Sequence, residues 1–298
     1  MKLMAVFKGI TPDNVGLDIF TELSQAYPSD RPNPRMYTRW TEYDSEDFHE
    51  IKRLLSEAGL SPWTNHLVER DNRKEFTLNI HRRYDDEDRE HASYLVLVNH
   101  DPDRVTVELA HELQKLDGVP LIIGKRAPKK KNILAQSRFP FGTLVADHVR
   151  QVLEKGDLRG IRFEATKVYK AVGRKGYEEE SWDEYPEPWW ELETTVTMPA
   201  FSSSVKLISG THGVELKPDF STGCRIDDGL FGPAELHYRR SDIDAMDEFD
   251  IARTHEPITG RVKWTRRDRP FVVSQRFYQY CKKNNVKADW RPVRIDED

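Results

Sequence analysis

The chain lacks the features that mark a secreted, membrane or disulfide-stabilised protein. It has two cysteines, Cys224 and Cys281, among 298 residues, which is too few for a disulfide framework or a four-thiolate zinc site. No stretch approaches the roughly 18 apolar residues that a membrane helix needs, and the apolar run in residues 1–8 is too short for a signal peptide. We therefore expect a soluble protein of a reducing cytoplasm, in which Cys281 is a buried apolar residue of a helix.

Recognisable catalytic and nucleotide-binding motifs are also missing. There is no G-x-x-x-x-G-K-S/T and no G-x-G-x-x-G, so no phosphate-binding loop is indicated. His111-Glu112 lacks the second histidine of the zinc motif H-E-x-x-H. The acids Asp242, Asp244 and Asp247 lack the glycine and the terminal glutamate of a calcium loop, and a solvated helix start explains them. We expect no metal and no cofactor, and a non-enzymatic function is favoured.

The composition supports a folded protein with a heavily charged surface. Hydrophobic residues make up 37% and aromatic residues 10% of the chain, which is enough for a hydrophobic core. The net charge of −5 argues against a dedicated nucleic-acid binder, since such proteins usually carry a basic domain. The run from Lys125 to Lys131 has five positive charges and no acid, so RNA contact through this loop stays open as a lesser alternative.

Helix and strand signals mix along the chain without a regular order. Thr11-Pro12 opens one predicted helix. Asp44 with Asp47 caps a second helix that ends at Gly59, and Phe48, Ile51, Leu55 and Ala58 form its apolar face. The strand-like runs are Phe76–Ile80, Tyr94–Val98, Val119–Ile123, Ile161–Phe163, Thr194–Thr197 and Ser204–Ile208. Because strands and helices do not alternate regularly, the chain is predicted to be α+β rather than a doubly wound sheet.

Two segments share one pattern of apolar positions and helix caps. Val145, Val149, Val152 and Leu153 of the first align with Val273, Phe277, Tyr280 and Cys281 of the second. Asp147, or Ser274 in the second segment, is expected to supply the N-cap oxygen. Gly156 and Asn284 stand where a helix-ending, left-handed residue is expected. The pattern predicts two related mixed α/β modules, as a tandem duplication would give; the alternative is two unrelated units shaped by the same physics.

The boundary between the modules is expected near residue 176. The stretch from Gly173 to Pro188 is rich in acids and contains two prolines, which suits an exposed linker. This divides the chain into an N-terminal α+β module, residues 1–176, and a C-terminal α+β module, residues 177–298.

The segment from Tyr177 to Leu192 is the candidate interaction site. It carries seven acids, no base and several large aromatic residues, a composition that suits the capture of a basic partner protein. The predicted partner-binding residues are Trp182, Asp183, Glu184, Tyr185, Trp189 and Trp190. The alternative is that Trp189 and Trp190 open a strand and pack inward, while the acids keep the loop in water.

The C-terminal part resembles a known family. The residues that carry the resemblance are Phe249-Asp250-Ile251-Ala252-Arg253, Phe271-Val272-Val273-Ser274-Gln275-Arg276-Phe277 and Asp289-Trp290-Arg291-Pro292-Val293. They resemble the closing module of bacterial double-CXXCG proteins and related toxin-immunity proteins, and Val145–Phe163 is similar to a looser second copy. This chain has no CXXCG pair, and Ala288 stands where glycine is usual, so a metal-binding role does not carry over.

The resemblance implies a cytoplasmic, non-enzymatic protein that neutralises a partner toxin by covering it, with no catalytic residues. The alternative function is a small-molecule-binding protein or hydrolase with a cleft between the two modules. In that case His212, Asp227 and Asp228 would supply its polar groups, which would need to converge in one pocket.

Overall fold

The computed structural model describes residues 1–10, 23, 25–30, 36–57, 75–98, 100–105, 119–122, 132–137, 142–172, 176–209, 224–227, 235–258 and 269–298. It confirms the α+β fold class, with short helices beside several sheets in which most strand pairs are antiparallel. The chain divides into two compact units. The first consists of Met1–Asp88, Lys206–Lys217 and Arg225–Ala234, and the second of Arg89–Val205, Pro218–Cys224 and Glu235–Asp298.

A three-stranded antiparallel sheet and one helix form the core of the first unit. The elements are β1 (Lys2–Ile10), β2 (Met36–Glu42), α1 (Glu46–Glu57) and β3 (Glu75–Arg83). β1 is the central strand, and Ala5 and Phe7 on it are fully buried. The helix buries Phe48, Ile51 and Leu55 in the same cluster, so the apolar spacing read from the sequence predicts its buried face correctly.

The cap of α1 differs from the prediction. Ser45, rather than Asp44 with Asp47, supplies the cap: its Oγ accepts a hydrogen bond from the backbone N–H of Phe48 at 3.2 Å. Asp44 lies in the preceding turn with a φ of 65°, and its carboxylate lies 2.8 Å from Nε2 of His49. The Asp44 carboxylate is therefore engaged with the side chain of His49.

The remaining elements are numbered in chain order. The helices are α2 (Asp86–His91), α3 (Asp147–Glu154), α4 (Arg240–Asp244) and α5 (Gln275–Lys283). The strands are β4 (Tyr94–Val98), β5 (His100–Val105), β6 (Val119–Ile122), β7 (Ala135–Ser137), β8 (Thr143–Ala146), β9 (Ile161–Val172), β10 (Gly176–Glu180), β11 (Trp189–Thr194), β12 (Lys206–Ser209), β13 (Cys224–Asp227), β14 (His237–Arg239), β15 (Ile251–Arg253), β16 (Phe271–Ser274), β17 (Asp289–Pro292) and β18 (Arg294–Asp296).

Two sheets organise the second unit. The larger has the strand order β10-β9-β11-β8-β7-β5, with β6 running parallel to β9. The smaller has the order β15-β16-β4-β17. β4 is a continuous apolar run, and its residues Leu95 and Leu97 are buried, as is typical of an interior strand. A further strand pair in this unit is β14 with β18, whereas the pair β12 with β13 belongs, apart from Cys224, to the first unit.

The two segments that share a sequence pattern both fold as strand, helix and strand. They are β8-α3-β9 and β16-α5-β17. α3 buries Val149 and Leu153, and α5 buries Phe277 and Cys281. All four side chains belong to one hydrophobic cluster, so the two helices share a core. The expected burial of Cys281 is confirmed by its exposed fraction of 0%.

Backbone hydrogen bonds join the turn after each helix to the chain that lies before the other segment. After α3, the carbonyl of Arg159 accepts from the N–H of Asp250 at 2.9 Å, just before β15. After α5, the carbonyl of Lys287 accepts from the N–H of Leu134 at 2.9 Å, just before β7. The turn that follows each helix is therefore fixed by chain that lies before the other segment.

The left-handed residues that end these helices lie one position later than predicted. They are Asp157, with a φ of 47°, and Asn285, with a φ of 55°, rather than Gly156 and Asn284. Gly156 has a different role, because a Cβ there would lie 2.8 Å from Cζ of Tyr280. The glycine allows the ring to approach the chain, and the Tyr280 hydroxyl donates to the carbonyl of Val152 at 2.8 Å.

The predicted boundary near residue 176 does not coincide with the division into compact units. β9, β10 and β11 are consecutive neighbours in one sheet, and the predicted boundary falls at the start of β10. β4, from the first half of the chain, pairs with β16 and β17 from the second half. The composition predicts an exposed turn region, but the strands before and after it, β9 and β11, pair in one sheet.

Candidate protein-docking surface

The acid-rich segment forms a strand, a short 3₁₀ turn and a second strand. It consists of β10, the turn Trp182–Glu184 and the beginning of β11. Ser181 begins the turn, since its Oγ accepts from the N–H of Asp183 at 3.2 Å and donates to the Asp183 carboxylate at 2.8 Å. The turn of this segment therefore has a defined local structure that begins with a serine cap.

Trp189 belongs to the core, which corrects its assignment to the partner-binding surface. Its exposed fraction is 2%, and it packs with Ile133, Ala135 and Leu144. β11 pairs with β8 at this position, Trp189 being opposite Ala146. The structure agrees with the alternative interpretation, in which Trp189 opens a strand and packs inward.

Trp190 and Trp182 are half-buried and attach the segment to neighbouring elements. The indole N–H of Trp190 donates to the Asp147 carboxylate at 2.9 Å, and the guanidinium of Arg150 lies 4.6 Å from the centre of its ring. The indole N–H of Trp182 donates to the carbonyl of Thr166 at 2.8 Å. Both indoles thus hold the segment in position, and Trp182 also packs against the cluster around Trp189.

Four of the seven acids of the segment are exposed to solvent. They are Glu178, Glu179, Asp183 and Glu184, and we call them the acidic surface. Among the described residues, Glu179 alone of the four makes an ion pair, 3.4 Å from Nζ of Lys167. The surface therefore presents negative charge that the described residues around it largely leave uncompensated.

Tyr185 fixes the turn from within the segment. Its hydroxyl donates to the Glu180 carboxylate, and its ring packs edge-on against Trp182 with centroids 5.5 Å apart. Burial, together with the adjacent Glu180 and Glu184 carboxylates, raises the pKa of Tyr185 to about 12. The phenol therefore stays protonated and available as a donor at neutral pH.

Glu187 caps helix α3, which corrects the assignment of Asp147 as the cap. Ala146 occupies the N-cap position and provides no side-chain hydrogen bond. Instead, the Glu187 carboxylate accepts from the N–H of His148 at 3.0 Å, a favourable place for a negative charge. In α5 the prediction is confirmed, because Ser274 Oγ accepts from the N–H of Phe277 at 3.1 Å.

Sequence reasoning missed His148, Glu187 and Arg150 as parts of this region. His148 and Glu187 are 39 residues apart in sequence, so neither spacing nor a local motif joins them. The available signal was the acid-and-aromatic composition of the segment, which indicated a special surface but not the contacts that hold it.

The residues of the alternative hypotheses fall mostly outside the described part of the chain. Lys125–Lys131, His212 and Asp228 lie there, as does the side chain of Asp227. Within the described residues, no group of three or more His, Cys, Asp or Glu side chains is arranged to hold a metal ion.

One described cluster contains serine, histidine and aspartate. Nδ1 of His237 lies 3.6 Å from the Asp296 carboxylate, and its Nε2 lies 3.6 Å from the Glu235 carboxylate. Ser204 Oγ donates to Asp296 at 2.7 Å. Since the serine hydroxyl is bonded to the acid, the cluster lacks the serine–histidine hydrogen bond of nucleophilic catalysis.

Comparison with known proteins identifies no relative: no family model, no curated protein and no solved structure matches the chain. The resemblance to immunity proteins therefore stays a prediction from the residues. In the described part of the chain, no helix combines the length and the apolar character that crossing a bilayer requires.

Proposed function

We propose that this chain is a non-enzymatic binding protein of the toxin-immunity type, which occludes a basic region of a partner protein with its acidic surface. The observation that supports this most directly is that four exposed carboxylates project from a segment whose aromatic residues are anchored in the fold.

The charge pattern favours a basic partner. Glu178, Asp183 and Glu184 form no ion pair with a cation among the described residues. Carboxylates in this state attract lysine and arginine side chains over a Debye length of about 8 Å at physiological ionic strength. Such charges accelerate association and select against acidic partners.

The anchoring of the segment favours binding as a preformed surface. Trp189 is fixed in the core, Trp182 and Trp190 donate hydrogen bonds to neighbouring elements, and Tyr185 closes the turn on Glu180. A surface that is ordered before association loses less conformational entropy on binding. Inhibition by occlusion needs such a surface and needs no catalytic group.

The test is co-expression of the chain with the product of the neighbouring gene, followed by calorimetric titration of the purified pair. The variant replaces the acidic surface: Glu178→Gln, Glu179→Gln, Asp183→Asn and Glu184→Gln. We expect at least about tenfold weaker binding, chiefly through slower association, and a smaller dependence of affinity on salt.

A matched control removes the same charge from the first unit. It carries Asp44→Asn, Glu46→Gln, Glu57→Gln and Glu87→Gln, four exposed positions, and it should bind like the wild type. Equal losses in both variants would mean that only net charge matters. If the neighbouring product forms no complex and is not neutralised in growth assays, the proposed function is wrong.

A further inference from the structure

A half-buried histidine joins the acid-rich segment to the N-terminus of α3. The side chain of His148 is 23% exposed and that of Glu187 is 13% exposed. Nδ1 of His148 lies 2.7 Å from Oε2 of Glu187, and Nε2 lies 2.6 Å from Oδ1 of Asn132. The imidazole therefore bridges the segment that carries the acidic surface and the chain just before β7.

The Glu187 carboxylate depends on this histidine. Its Oε2 accepts from the backbone N–H and from the ring of His148. Its Oε1 is buried and has no hydrogen-bond partner among the described residues. Burial of a carboxylate is unfavourable unless a cation or several donors compensate it. Of the described side chains, His148 is the one that forms an ion pair with Glu187 when protonated.

The other charged groups near the ring are already engaged. Asp147, which precedes His148 in α3, accepts from Trp190, Arg150 and Gln151. On the other side of the ring, Asn132 is uncharged and its carbonyl accepts from the N–H of Lys287, whose side chain is exposed. Glu187 is therefore the charged group in direct contact with the imidazole.

The protonation state of His148 decides whether its ring donates a hydrogen bond to one or to both of Glu187 and Asn132. An imidazolium donates from both ring nitrogens, so it serves Glu187 and Asn132 together, and the bond to Glu187 becomes charge-assisted. A neutral ring has one N–H, and the Glu187 charge then has no cationic partner in contact among the described residues. Histidine side chains typically change charge between about pH 5 and 8.

We propose that His148 is a proton-controlled latch: protonated, it fixes the segment that carries the acidic surface, and neutral, it lets the segment loosen. The inference that the latch regulates docking rests on the proposed function. The latch itself can be measured on the free protein, without any partner.

Hydrogen exchange of the free protein tests the latch, at pH 5.5 and pH 7.5 after correction for intrinsic exchange rates. We expect the hydrogen-bonded amides of Asp183, Glu184 and Tyr185 to be about tenfold better protected at the lower pH, near the lower end of what one charge-assisted hydrogen bond contributes. His148→Gln should show the same protection at both pH values. The control His49→Gln changes an exposed histidine and should behave like the wild type.

A second measurement covers the case in which His148→Gln does not fold. The ¹⁵N shifts of the wild-type imidazole count its protonated ring nitrogens at pH 5.5 and at pH 7.5, and the protection of the segment should follow that count. A ring that is neutral at pH 5.5, or protection that does not depend on pH, would overturn the latch. If the latch holds but the acidic-surface variant binds the partner normally, the docking surface is wrong and the latch stands.

Discussion

At the scale of single residues, burial raises the pKa of several groups above the ordinary value of their residue type. Cys281 is fully buried among the apolar side chains of the second unit, and this burial raises the pKa of its thiol to about 12. Since the thiolate is the reactive form, a cysteine in this position behaves as a small hydrophobic residue.

Cys281 should therefore resist alkylation in the native protein. In a Cys224→Ser background, which leaves one thiol, iodoacetamide at neutral pH should modify almost none of the folded chain and nearly all of it in guanidinium chloride. Mass spectrometry gives the modified fraction. Rapid labelling of the native protein would contradict the burial.

Glu256 gives stability an unusual dependence on pH. Its Oε1 accepts from the N–H of Phe201 at 3.0 Å, but its Oε2 is buried without a hydrogen-bond partner among the described residues. Burial raises the pKa of this carboxyl. The folded state therefore holds the proton more tightly than the unfolded state, where glutamate has a pKa of about 4.3. The stabilisation is complete below that value and is lost as pH rises through the folded-state pKa.

Glu256→Gln should remove this contribution. The free energy of unfolding of the variant, relative to the wild type, should rise between about pH 4 and pH 7, because the amide keeps the hydrogen bond to Phe201 without a buried charge. Urea unfolding at the two pH values measures the difference. A relative stability that falls over this range would show that the carboxylate is well solvated.

At the scale of secondary-structure elements, Asp250 connects the two strand–helix–strand segments. Its carboxylate accepts from the N–H of Arg159 at 2.8 Å, from Ser274 Oγ at 2.6 Å and from Arg276 at 3.0 Å. The first donor lies after α3 and the others lie at the start of α5. One buried side chain thus satisfies donors from two elements.

Asp250→Ala should destabilise the protein by about 1–3 kcal/mol, since it leaves the part-buried N–H of Arg159 and the hydroxyl of Ser274 without their acceptor. Asp247→Ala, at an exposed position three residues earlier, is the control and should change stability by less than about 0.5 kcal/mol. Urea unfolding compares the two. Similar small effects in both variants would show that Asp250 does not connect the two segments.

Trp189 and the acids beside it should respond in opposite ways. Trp189→Ala empties a site in the core and should reduce the free energy of unfolding by about 3–5 kcal/mol. Asp183→Asn with Glu184→Gln changes exposed charges only and should be nearly neutral for folding. Thermal unfolding separates the two. If the stability of Trp189→Ala is unchanged, Trp189 is not a core residue and belongs to the candidate surface.

The elements were predictable where local patterns decide them. The range Tyr94–Val98 was predicted as a strand and is β4, and the buried faces of α1, α3 and α5 follow their apolar spacing. The predicted strand Thr194–Thr197 instead lies at the end of β11 and beyond it. There, pairing with β8 and β9 sets the strand limits, and pairing partners cannot be read from a short run.

The sequence predicts which types of residue make up the candidate site, but it does not predict how their side chains are arranged. The exposed acids Asp183 and Glu184 were named from the sequence, and both lie at the surface. The burial of Trp189 and the role of Glu187 depend on contacts with β8 and α3, far away in sequence. Long-range contacts of this kind have no local signature, so Trp189 was assigned to the wrong side of the segment.

At the scale of the whole molecule, carboxylates with lowered pKa values should set the response to acid. A hydrogen bond from Arg53 lowers the pKa of Glu50, and the N-terminal amine lowers that of Asp88. At Asp147 and Asp296 burial opposes this effect, but hydrogen bonds and positive neighbours lower both pKa values. These groups stabilise the fold above the unfolded-state pKa, and the contribution is lost as pH falls through the folded-state pKa.

The unfolding temperature should therefore fall steeply as the pH is lowered from about 5 to 3. Asp147→Asn should make this decline shallower, because one of the contributing carboxylates is gone. Calorimetry over the pH range compares the two proteins. An equally steep decline in the variant would mean that Asp147 contributes no acid sensitivity.

The position of β4 has a consequence for how the protein is made. Val96 of this strand pairs with Val272 on one side and Arg291 on the other, so its partners are synthesised long after it leaves the ribosome. Until then an apolar strand with two open edges is exposed, and such segments aggregate readily. Slowing translation late in the message should therefore lower the soluble yield in cells that lack holdase chaperones.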